Sequence, residues 1–117
     1  MKIIHFLTAS LLLALSPSIL AKDTIIDSAV ITTETAITKT FDWGTLITYY
    51  QGETTSTKDA LSAIAIINPG MEIHPPHTHL EEEYLLILEG SGTWTLHEKD
   101  FVAKKGDMLF SKPWDLH

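Results

Sequence analysis

Cysteine is absent from the 117 residues, so neither a disulfide nor a thiolate-rich zinc site can hold this chain together. Arginine is absent as well. The eight basic residues are all lysines, they face fifteen acidic residues, and the formal charge is −7. Nucleic acids and anionic membrane surfaces need concentrated positive charge, so the balance excludes both as partners. Apolar runs are short. The one at the start, Ile3 to Leu15, falls below the ~20 residues that span a bilayer, which argues against a stable membrane anchor. No repeat or linker-like stretch divides the chain.

What is present begins with a leader. Met1-Lys2 is positive, the following stretch is apolar, and Ser16-Pro17-Ser18-Ile19-Leu20-Ala21 ends on a small residue. That order is the pattern of a secretory signal peptide over residues 1–21, and it places the mature chain in the periplasm or outside the cell. Residues 22–117 then form one small domain. Its hydrophobic content, 44% for the whole chain, is ordinary for a folded protein.

The remaining chain reads as strands. Asp23 to Thr33 and Thr45 to Tyr50 are rich in β-branched and aromatic residues. Ala60 to Ile67 has strand length and is stopped by Asn68-Pro69-Gly70. A buried strand is expected from Glu83 to Glu89, closed by Gly90-Ser91-Gly92. Thr93 to His97 forms the next, with a turn at Glu98-Lys99-Asp100 and a short strand at Phe101-Val102-Ala103. Gly106-Asp107 is a turn that needs a positive φ. Short strands with turns every 8 to 12 residues indicate an all-β sandwich or barrel.

The chemistry lies in His77-Thr78-His79-Leu80-Glu81-Glu82-Glu83. Side chains at i and i+2 of an extended segment leave the same face, with α-carbons about 6.6 Å apart, so His77 and His79 can lean toward one point. Neutral imidazoles ligate a metal at about 2.1 Å, and Glu83 is the carboxylate that would join them. His117 is a fourth candidate. The alternative is two surface histidines on a loop beside a solvated acidic run. His74, ahead of Pro75-Pro76, reads as a rim residue, and His97 as solvent-facing at a hairpin end. Trp43 and Trp94 read as core or rim aromatics, and Trp114 as a wall at the pocket mouth.

His77-x-His79, three residues, Glu83, six residues, Gly90 resembles the first motif of the cupin superfamily. Gly106-Asp107, Pro113 and His117 are similar to its second. Six residues separate Gly70 from His77 where five are usual, and Pro113 stands one residue nearer His117 than usual. The resemblance spans roughly residues 60 to 117. It implies a jelly-roll (double-stranded β-helix) barrel in which His77, His79, Glu83 and His117 bind a divalent transition metal: iron, manganese, nickel or zinc. The family continues beyond the position of His117 through further strands, so the resemblance also implies a barrel incomplete at its C-terminal end.

Three functions are compatible with that pattern. One is an exported metal-dependent enzyme of dioxygenase, lyase or isomerase type acting on a small molecule. The second is a module that binds a small ligand or a metal without turnover. The third is a truncated cupin without activity, whose open edge either pairs with another subunit, as in a homodimer, or stays aggregation-prone. Asp115 is the candidate acid or base for the first.

Overall fold

The computed structural model describes residues 25–117, so the leader reading of residues 1–21 lies outside the described residues. Seven strands make three antiparallel sheets, and the all-β expectation holds. Strands β1 (Ile37–Phe41), β2 (Gly44–Gly52) and β3 (Ala60–Ile67) form the first. Strands β4 (Glu83–Leu86) and β7 (Met108–Ser111) form the second, and β5 (Ser91–Leu96) and β6 (Lys99–Lys104) the third. The hydrogen-bonded ladders do not join into a closed barrel. Among the described residues, no helix is long and apolar enough to cross a membrane.

In the first sheet, β2 is the central strand and carries a bulge between Thr48 and Tyr50. Gly44 enters it at φ +147°, opposite Ile67. A β-carbon at Gly44 would be driven into the carbonyl oxygen of Ile66, so only glycine allows β2 to approach β3 this closely. Ala60 to Ile67 is a strand with the bounds its sequence suggested.

Three expectations are corrected. The β-branched stretch before β1 forms no strand over its described part, residues 25–33: Thr35 and Ala36 donate to the carbonyl of Thr32, turning the chain where no partner strand lies alongside. The hairpin turn between β5 and β6 is His97-Glu98, with both residues at positive φ (49° and 62°), and β6 begins at Lys99 opposite Leu96. Two left-handed residues in a two-residue loop match the twist of the flanking strands, but without an Asn-Gly pair the sequence did not mark it. Finally, the strand from Glu83 ends at Leu86 and is sheltered on one face only. Glu83 and Leu85 point inward, whereas Tyr84 and Leu86 are exposed.

That alternation positions the site. His77, His79, Glu83, Leu85 and Ile87 are all partly sheltered, while Thr78, Leu80, Tyr84, Leu86 and Leu88 between them are exposed. From β7, Leu109 and Ser111 share the inner face, because Leu109 pairs with Leu85 and Ser111 with Glu83. Ala103 is the one buried hydrophobic residue among those described, and the buried polar residues are Ser111 and His117. The best-sheltered polar groups of the fold are thus gathered at one spot.

Candidate metal centre

The segment after β7 closes over the histidines. Lys112-Pro113-Trp114-Asp115 is a turn in which the Asp115 N–H donates to the Lys112 carbonyl (3.2 Å) and Trp114 adopts φ +65°. Proline at the second position and a left-handed third residue are the marks of a type II turn, normally with glycine where Trp114 stands. Beyond it, His117 and His77 exchange both backbone hydrogen bonds, 2.8 and 3.1 Å. Such reciprocal pairing defines directly opposed antiparallel residues. The Trp114 N–H also donates to the His79 carbonyl (2.8 Å), and the His97 N–H to that of Leu116 (2.9 Å). The terminal segment is therefore tied on one side to the His77–His79 segment and on the other to the β5–β6 hairpin.

This arrangement brings all four ligand candidates together. His77, His79 and His117 each offer a ring nitrogen, and these atoms lie within 4.8 Å of one another. His79 Nε2 is 3.1 Å from His117 Nε2 and 3.2 Å from Glu83 Oε2, and His117 Nε2 is 3.5 Å from the same oxygen. Two ligands bonded at about 2.1 Å to one ion stand about 3.0 Å apart at octahedral right angles and about 3.4 Å apart in a tetrahedron. The separations among His79, His117 and Glu83 lie close to that range, while the His77 nitrogen belongs to the wider 4.8 Å set.

The protons of the imidazoles sharpen the point. His79 Nδ1 lies 2.9 Å from the Glu81 carbonyl, and His117 Nδ1 lies 2.9 Å from the Asp115 carbonyl. A carbonyl only accepts, so each Nδ1 carries the hydrogen, and in the neutral ring each Nε2 is left with its lone pair. Two such lone pairs and a carboxylate oxygen then converge with no donor between them, a cluster that a cation satisfies. His77 Nδ1 is buried without a hydrogen-bond partner, a second group with an unmet need. The residues present fit a divalent metal.

The surroundings are acidic and aromatic. Glu81 Oε2 is 3.6 Å from His79 Nδ1, while Glu82 accepts from the Tyr84 hydroxyl (3.1 Å) away from the cluster. Trp94 stacks near-parallel on the His117 ring, centroids 5.7 Å apart, and so backs the site. Trp114 is exposed on its turn. His74 is exposed and lays its ring against His77 edge-on at 4.0 Å, as a rim residue would. Burial, followed by the neighbouring imidazoles of His74, His117 and His79, lowers the proton affinity of His77 against the opposing pull of Glu83.

Asp115 does not have the features of a free acid or base. Its carboxylate is held by His97 Nε2 at 3.1 Å and Lys112 Nζ at 3.1 Å. Partial burial raises its pKa, but the bonds from Lys112 and His97 outweigh it and the carboxyl is held below its usual range. His97 is exposed as expected and in addition fastens the terminal segment. What sequence reasoning missed is Ser111, whose hydroxyl lies 2.9 Å from His117 Nδ1. Its signal was a polar residue at an inward position of an alternating strand, level with Glu83.

The stretch that carries this cluster is also the stretch that matches known proteins. A family model described as "Cupin domain" matches residues 63–117. A gentisate 1,2-dioxygenase from Streptomyces sp is 33% identical over 63 residues, covering 53% of this chain and 17% of that protein. The chain thus spans about a sixth of that relative's length. No solved structure matches at the same level of significance.

Proposed function

We propose that this chain, whose residues 63–117 match the cupin-domain model, is an exported metal-binding cupin in which His77, His79, Glu83 and His117 hold one divalent transition metal and that it acts on a small molecule. The observation that carries the reading is the convergence of the His79 and His117 Nε2 lone pairs and the Glu83 carboxylate on one point. Neutral imidazole and carboxylate without thiolate suit iron, manganese, nickel or zinc. A metal held there would supply Lewis acidity toward a substrate oxygen, or dioxygen chemistry of the kind named for the Streptomyces relative. The chain's own contribution is orientation: carbonyls and hydroxyl hold the imidazole rings, the reciprocal His77–His117 backbone pair sets their spacing, and Trp94 keeps water from one side of His117.

A second reading, a metal- or ligand-binding module without turnover, also has an observation behind it. Among the described residues, the acid nearest in sequence to His117, Asp115, is engaged by Lys112 and His97 and so is not free to move a proton. Export and self-association belong to the proposal as well: the leader pattern supports the first, and the exposed apolar outer face of β4 and β7 supports the second.

One preparation tests these together. The full chain is expressed with an export pathway, and the product is examined by intact mass, sedimentation and elemental mass spectrometry, beside a His77→Ala/His79→Ala variant. The expected product starts at Lys22, sediments as a dimer, and carries about one equivalent of transition metal that the variant lacks. Equal metal in both proteins would remove the site assignment. An uncleaved leader would remove export, and a monomer at high concentration would remove the dimer. Dioxygen uptake with small hydroxylated aromatic acids then separates enzyme from binding module.

A further inference from the structure

Ser111 is 1% exposed and His117 6%, the buried polar residues among those described. A hydroxyl buried without a partner costs about 1–3 kcal/mol, so a serine here needs a reason. It has two contacts. Ser111 Oγ is 2.9 Å from His117 Nδ1 and 3.4 Å from the Lys112 carbonyl oxygen. That nitrogen also faces the Asp115 carbonyl at 2.9 Å. Because the Asp115 carbonyl beside Nδ1 can only accept, the hydrogen sits on Nδ1, and the hydroxyl then accepts there while donating to the Lys112 carbonyl. Two acceptors around one ring nitrogen require N–H at that position, and a ring flip would place a carbon–hydrogen edge against both.

Register strengthens the case. Ser111 is the cross-strand partner of Glu83, so one rung of the β4–β7 ladder carries the cluster's carboxylate and the hydroxyl behind the cluster's most buried imidazole. Directly opposed side chains lie on one face about 4.5–5.5 Å apart at their β-carbons. Any shift of Ser111 would therefore disturb the spacing between Glu83 and His117.

We propose that Ser111 is a positioning residue that, with the Asp115 carbonyl, fixes the tautomer and ring orientation of His117 so that Nε2 faces the metal. This rests on the metal-holding reading above. Groups that orient a ligating imidazole from behind typically contribute 10- to 100-fold to metal affinity. The Ser111 hydroxyl reaches no other group of the cluster, so its effect passes through His117.

The test uses cobalt(II) as the probe, titrated against the parent, Ser111→Ala and Ser111→Cys by chelator competition and by its visible spectrum, with melting curves of the metal-free proteins alongside. The expected result is about 10- to 100-fold weaker cobalt binding in both variants, an altered visible spectrum, and little change in metal-free melting. Imidazole ¹⁵N spectra of the metal-free parent, which need no variant to fold, should assign His117 as the Nδ1–H tautomer. Binding within twofold of the parent, or an Nε2–H tautomer at His117, would overturn the role of Ser111 while leaving the metal site standing. A parent that fails to bind cobalt would overturn the metal reading itself.

Discussion

His77 sits where burial and three imidazoles act in one direction, each disfavouring a proton on its ring, with Glu83 alone opposing them. The folded chain therefore takes up a proton at His77 less readily than the unfolded chain, whose imidazole titrates near 6.5. The contribution to stability is present above that value and is lost as pH falls from it through the lower folded pKa. Metal capture moves in the same sense, since a protonated ring cannot ligate. Melting curves of the metal-free chain from pH 7.5 to 5.5 should show a falling melting temperature, with a smaller fall in a His77→Gln variant. A parent that is more stable at the acid end would contradict the assignment. Ser111 shows the opposite economy at the same scale: a small uncharged group with influence through one contact, and for that reason invisible to a reading that looks for ligands.

Among the elements, β2 and β3 are held in register by Gly44, where a side chain has no room. Gly44→Ala should destabilise the fold by about 1–3 kcal/mol through overpacking, with the strained φ adding to it. Urea unfolding would measure this, and metal affinity of the folded fraction should stay unchanged because that sheet contributes none of the four candidate ligands. Local signals served well where they were self-contained. Ala60 to Ile67 was legible because Asn68-Pro69-Gly70 stops it, and Gly106 because its positive φ (91°) needs no partner to explain it. They failed where pairing decides. Ile25 to Thr33 has strand residues and no neighbouring strand, and the His97-Glu98 turn is set by the Leu96–Lys99 rung. The four ligand candidates were legible from spacing and resemblance. The carbonyls of Glu81 and Asp115 were not, because backbone groups leave no mark in a sequence.

For the molecule as a whole, the described fold buries little apolar surface and joins its sheets through few hydrogen bonds. A ligand that binds only the native state then weighs heavily. A metal at a hundredfold excess over its Kd stabilises by about 2.7 kcal/mol. At 4–8 °C per kcal/mol for a domain of this size, the melting temperature should rise by about 10–20 °C on saturation with manganese or zinc. Calorimetry with and without metal checks this, and an unchanged transition at saturation would count against the site. The reciprocal backbone pair between His77 and His117 has a further consequence, for how the chain finds its structure. Side chains alternate faces along a strand, so a slip of one residue would send one imidazole outward and leave the cluster unmade. On the metal-holding reading, capture of the ion would then act as a check on alignment: only chains that have brought these two distant segments into the right register would retain it.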